Sequence, residues 1–95
     1  MYQDYEHSEV KDNAHEQRYE VRVGHEVAEL TYKRETGRIT FLHTGVPAAM
    51  EGHGIGSKLA RTALEEARAA RLKVVPLCSF MAEYIQKHSE YETLL

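Results

Sequence analysis

Cys78 is the single thiol of the chain, and His43 is one of six imidazoles, with His7, His15, His25, His53 and His88. The third chemically unusual stretch is EGHGIGSKLA, residues 51–60, where Gly52, Gly54 and Gly56 alternate just before a helix-like segment. A glycine-rich turn opening a helix presents unpaired N–H groups which, with the helix macrodipole, form a site for an anion such as phosphate. Ser57 and Lys58 add a hydroxyl donor and a positive charge. The same stretch also reads as a plain strand-to-helix turn, which accounts for one or two glycines better than for three. A P-loop is excluded, because it needs four residues between its glycines and then Lys before Ser or Thr. Here three residues separate Gly52 from Gly56, and Ser57 precedes Lys58. The dinucleotide fingerprint Gly-x-Gly-x-x-Gly fails because these glycines alternate. Cys78 has two readings: a thiol beside a helix start, where the thiolate is favoured, or a small apolar residue filling a strand end. His43 is either a base for an amine's proton, the ordinary imidazole pKa lying near ~6.5, or a partly buried strand histidine with its hydrogen bonds satisfied. No histidine stands at zinc-like spacing from Cys78 or from another histidine, so no structural zinc is expected. One cysteine excludes an internal disulfide.

These groups must be positioned by a small framework. The chain has 95 residues, 42% of them hydrophobic, and a net charge of -3. One domain with one core is the expectation. The acidic balance argues against a nucleic-acid binder working by bulk electrostatics. No apolar run reaches the length of a membrane span, and the polar start lacks a signal-peptide stretch. The expectations are therefore a cytoplasmic location, no nucleic-acid or membrane partner, and a monomer by default. Residues 1–17 read as a polar arm and 18–95 as the single domain. RYEVRV alternates as a half-buried strand, with Tyr19, Val21 and Val23 on one side. EVAELTYK and RITFLHTGV follow as two more strands joined by short turns, giving an antiparallel meander. His43 falls on the Ile39/Phe41 face by strict alternation. From Ile55 the period becomes helical, with Ile55, Leu59, Ala63 and Ala67 stepping by four and Ala60 and Leu64 beside them. Arg61 and Glu65 read as a paired wet face. LKVVPLC is a short apolar strand, Ser79 is a candidate cap for a last helix, and Met81, Tyr84, Ile85 and His88 share a face of it. Tyr91, Leu94 and Leu95 are available to pack. The unit from third strand through helix to fourth strand is long enough for a right-handed parallel crossover. The glycine loop then lies at the carboxyl end of a strand, where phosphate-bearing ligands collect.

VPAAMEGHGIGSKLARTALEEARAARLKVVPLC resembles the acetyl-CoA-binding core of the GNAT superfamily of N-acetyltransferases, whose Gln/Arg-x-x-Gly-x-Gly/Ala motif precedes the first long core helix. Glu51, Gly54 and Gly56 occupy that frame, with Glu in the first position. HTGVP, EGHGIG, LKVVPLC and YIQKHSEY together resemble a family of very small single-domain members, over roughly residues 13–95. The resemblance implies an α+β, three-layer-like minimal GNAT fold: a three-strand antiparallel meander, then a β-α-β-α core with one parallel strand pair.

By the same resemblance, Gly52, His53, Gly54, Ile55, Gly56 and Ser57 contact the CoA diphosphate, with Lys87 within reach of the phosphates. Val46 on one strand and Leu77 and Cys78 on the other flank the pantetheine arm. His43 and Cys78 then lie beside the thioester as the catalytic candidates. Direct attack by an amine, with Cys78 protonating the leaving thiolate, stands first, and an acetyl-cysteine relay second. The chain departs from the family pattern at His53, where lysine is usual, at Gly45, where the small family often has Glu, and at Ser89, where it has Pro. At Gln86 larger members carry a tyrosine that protonates the thiolate. The implied function is acetyl-CoA-dependent transfer to a primary amine of a peptide, protein or small molecule. The alternatives are a non-catalytic CoA- or acyl-CoA-binding sensor and an α/β interaction domain without ligand.

Overall fold

The computed structural model describes Tyr5 and residues 7–95. Five strands form one sheet in the order β1 (Lys11–Asn13), β2 (Arg18–Val23), β3 (Glu26–Glu35), β4 (Arg38–Gly45) and β5 (Lys73–Pro76). The first four pair antiparallel, and β4 pairs parallel with β5. Helix α1 (Ile55–Ala69) makes the crossover between the parallel strands, and α2 (Ser79–Lys87) follows β5. Short 3-10 turns span Ala48–Met50 and Ser89–Leu94. The expected α+β architecture, meander then β-α-β-α with one parallel pair, is the one observed.

One face of the sheet is apolar because the strands alternate. Tyr19, Val21, Val23, Ala28, Leu30, Tyr32, Ile39, Phe41 and Val74 are buried on it. The α1 stripe Ile55, Leu59, Ala63 and Ala67, with Ala60 and Leu64, closes against this face, driven by removal of apolar surface from water. Helix α2 adds Met81, Tyr84 and Ile85 beside it. The two helices meet at Gly56 and Phe80, and the Arg68 guanidinium of α1 lies over the Tyr91 ring of the last 3-10 turn at 4.9 Å. Both helices cover this one face of the sheet, and the charged residues between the buried strand positions turn to the other. Three phenols latch the layers and edges: Tyr19 donates to Glu66 at 2.9 Å, Tyr32 to Asp12 at 2.6 Å and Tyr91 to Glu65 at 2.6 Å.

The structure differs from the sequence expectation at several points. Part of the polar arm is a strand, since Lys11–Asn13 pairs with β2. It carries no apolar alternation and is held by the main-chain ladder and by Tyr32–Asp12 and Asn13–Glu20 hydrogen bonds. Helix α2 is capped by Cys78, not Ser79, and no side-chain hydrogen bond caps it. Leu95 stays 53% exposed, whereas Tyr91 and Leu94 pack. No helix among the described residues is long and apolar enough to cross a membrane. On the open sheet face a hollow of about 240 Å³ is lined by Glu9, Lys11, Glu20 and Arg22. Its buried carboxylate, Glu20, already accepts hydrogen bonds from Arg18, Arg22 and Asn13.

Candidate functional site

The parallel pairing of β4 and β5 stops at Phe41 opposite Pro76. The Leu77 and Cys78 N–H groups both donate to the Phe41 carbonyl, at 3.0 and 3.2 Å. The chain then turns into α2 while β4 runs on to Gly45. Two parallel strands that part in this way open a wedge, and β4 beyond Phe41 has no strand partner on that side.

A bulge decides which β4 side chains line the wedge. Tyr32 pairs with Phe41 but Thr31 pairs with His43, so Leu42 is an extra residue on β4. Such an insertion shifts the alternation of everything after it. Thr44 pairs with buried Leu30 and joins the Phe41 face, toward the helices. His43 pairs with Thr31 on the open face, which corrects its expected place beside Ile39 and Phe41. The thiol of Cys78, 7% exposed, lies 3.1 Å from the Thr44 hydroxyl. Cys78 therefore has Thr44 as its partner, while His43 approaches the gap from the other side of the strand. Both still border one cleft of about 460 Å³, with Leu42, Leu77, Ser79 and Phe80.

The glycine loop continues this cleft. Gly52 and Gly54 take φ of +82° and +73°, the left-handed region that glycine enters without a Cβ clash, and no atom of the described residues lies within 4 Å of where a Cβ would stand on either. Gly54 caps α1, and its carbonyl accepts the Lys58 N–H at 3.0 Å, closing the first turn. No side chain caps the helix and its first turn carries no acidic residue. The N–H groups of Ile55, Gly56 and Ser57 thus have no partner within the helix. Gly56 differs from the other two glycines: a methyl group there would lie 2.9 Å from Phe80 Cζ. Its smallness admits the Phe80 ring. A groove of about 480 Å³ runs over these residues, floored by Met50 and bordered by Thr44, Val46, Glu51 and Phe80. Thr44 and Phe80 line both spaces, so the groove at the α1 N-terminus and the cleft at Cys78 adjoin.

The expected site residues distribute over these two spaces. Val46, Gly52, Gly54, Ile55, Gly56 and Ser57 line the groove. His43, Leu77 and Cys78 line the cleft. Lys87 borders an adjoining hollow with Ser57, Phe80, Glu83, Tyr84 and His88. His53 is not on the groove; its ring stacks on Tyr5 with centroids 4.3 Å apart. Lys58 also turns away, donating to the carbonyls of Ser8 at 2.8 Å and Tyr5 at 3.4 Å. Gln86 is exposed, and Tyr84 is buried and stacked on His88 at 3.9 Å. Sequence reasoning passed over Thr44, Phe80 and Met50. Phe80 carries a readable signal, one helical turn before Tyr84, but Thr44 carries none, since its direction depends on the bulge.

The donor set suits a diphosphate joined to a long, mostly neutral arm. Three helix-start amides lie at the loop end, Met50, Val46 and Phe80 line the groove beside them, and the adjoining cleft holds a thiol and a hydroxyl. The profile of the GCN5-related N-acetyl-transferase family matches residues 18–94 of the chain. No curated protein matches it.

Proposed function

Since the chain belongs to the GCN5-related N-acetyl-transferase family, we propose that it binds acetyl-CoA and transfers the acetyl group to a primary amine. Acetyl-CoA supplies an acyl group already activated as a thioester. The amides of Gly52 to Ser57 hold the diphosphate, assisted by the macrodipole of α1. Lys87 adds charge at the rim. The pantetheine arm follows the free edge of β4 past Thr44 and Val46, with Phe80 and Leu77 on its other side. At the far end the amine nitrogen attacks the thioester carbonyl carbon, so that a C–N bond forms and the C–S bond breaks. His43 takes the amine's proton from the open-face side. Cys78 gives a proton to the departing sulfur from the helix side. The Thr44 hydroxyl holds the Cys78 thiol in place for that step.

The observation that carries this reading is the pair of adjoining spaces, one over the α1 N-terminus and one beside the Cys78–Thr44 pair. The exposure of Gln86 favours a second reading, a non-catalytic CoA-binding module. Calorimetric titration with acetyl-CoA, followed by an acetyl-transfer assay on a pool of primary amines, separates the readings. One-to-one binding with turnover that falls roughly a hundredfold in Cys78→Ala supports the enzyme. Binding without transfer supports the module, and the absence of binding overturns both.

A further inference from the structure

We propose that Glu29 is the docking carboxylate for the acceptor, a cationic primary amine held in a notch over Gly45 beside His43. This rests on the acetyl-transfer reading and specifies its acceptor side. The amine must enter where the cofactor path does not run. Cys78, Thr44 and Phe80 occupy the helix side of the β4 gap, so the open sheet face is the free approach. A primary amine arrives there as an ammonium ion and needs a carboxylate. Among the described residues, those lining the cleft around Cys78 include none.

The register supplies one. Glu29 pairs with Gly45 and Thr31 with His43, which puts Glu29, Gly45 and His43 on the same face. A methyl group on Gly45 would sit 3.2 Å from His43 Nε2 and 3.8 Å from Glu29 Cγ. His43 Nε2 and the Glu29 stem therefore flank Gly45 from two sides, and without a Cβ the surface over Gly45 stays low between them. Gly45 stands between Thr44 and Val46, both on the cofactor path. The Glu29 carboxylate is available: its ion-pair partner among the described residues is Arg18, at 3.6 Å, beyond the 2.7–2.9 Å usual for a charge-assisted hydrogen bond. Arg18 is engaged more closely with Glu20. An ammonium in the notch would meet the carboxylate first; it loses one proton to solvent to become the nucleophile, and His43 Nε2 is placed to take the second as the C–N bond forms.

Two variants test this in the full chain, Glu29→Gln, which removes the charge, and Gly45→Ala, which fills the notch. The probes are Nα-acetyl-lysine amide, cationic at neutral pH, and hydroxylamine, which is neutral there. Glu29→Gln is expected to raise KM for the lysine amide about fivefold, the scale of a partly exposed ion pair, with the effect shrinking in high salt. Hydroxylamine turnover and the Kd for acetyl-CoA stay at the wild-type value, and Glu29→Asp restores part of the loss. Gly45→Ala lowers turnover of both acceptors. An NMR titration of each protein with the lysine amide reads docking without turnover, through shifts at His43 and Gly45. Equal losses for both acceptors in Glu29→Gln, or unchanged amide docking in that variant, overturn the assignment. Failure of the wild type to bind acetyl-CoA overturns the transfer reading instead, while the titration still decides Glu29.

Discussion

Gly56→Ala separates the space the groove needs from the stability of the helix that carries it. Gly56 lies in the first turn of α1 with ordinary helical φ, so alanine there gains about 1 kcal/mol of helix propensity. Against this, the new methyl meets the Phe80 ring at 2.9, 3.3 and 3.5 Å. Carbon atoms prefer about 3.5–4.0 Å, so the ring tip must retreat by roughly half an ångström or more. Phe80 is half-buried and its free end borders the groove, so it retreats into the opening. A rotamer displaced that far costs about 0.5–1.5 kcal/mol. The two effects nearly cancel, and unfolding stability should move by less than about 1 kcal/mol. Binding should not be spared, because the displaced ring stands where groove and cleft meet. CoA affinity is expected to fall at least about tenfold, or about 1.4 kcal/mol. Urea unfolding and calorimetry with CoA on the same samples measure both quantities. Gly52→Ala and Gly54→Ala serve as contrasts, since none of the described residues lies near their methyls and the left-handed backbone is the cost, about 1–2 kcal/mol each. A Gly56→Ala protein that binds CoA as tightly as wild type, whatever its stability, would refute the placement of the cofactor in this groove.

Thr44→Val keeps the shape but removes the 3.1 Å contact to the Cys78 thiol. Turnover should fall about tenfold with a displaced pH profile and unchanged CoA affinity, and Thr44→Ser should recover it; an unaltered pH profile would leave Thr44 a packing residue only. At Glu20, burial favours the neutral acid, but the Arg18 and Asn13 hydrogen bonds and the Arg22 and Arg18 charges outweigh it and hold the carboxyl below its ordinary value. A depressed folded pKa stabilises the protein above the unfolded value near ~4.3 and loses that stabilisation as pH falls through the folded one. Urea midpoints at neutral and acid pH should therefore show a flatter acid limb in Glu20→Gln, and an identical limb speaks against it. Burial and the bond to Glu65 push the Tyr91 phenol up to about 12. Its stabilisation is complete below the unfolded value near ~10 and fades as pH rises toward the folded one, so Tyr91→Phe should lose less stability than wild type between pH ~9 and ~11.

The strands Arg18–Val23, Glu26–Glu35 and Arg38–Gly45 were legible because alternation with a period of two marks a sheet with one wet face. Helix α1 was legible to its first residue, since its apolar stripe steps by three and four and a glycine precedes it. The glycine turn that opens α1 was also legible, because its residues carry the conformational signal themselves. Strand β1 was not legible: three polar residues form an edge strand only because β2 offers an unpaired ladder. The same limit applies to Gly56, whose reason for being small is a ring on another helix, 24 positions along the chain.

The amino-acid sequence alone determined the meander, the crossover helix and the presence of a thiol, an imidazole and a glycine-rich turn at a helix start, because each follows from local periodicity and residue type. Only the folded chain decided which of these groups meet. One extra residue at Leu42 reverses the alternation of β4, turning Thr44 to the thiol and His43 to the opposite face beside Glu29. A bulge of this kind leaves no mark in the pattern of one strand, because it exists only in the register between two.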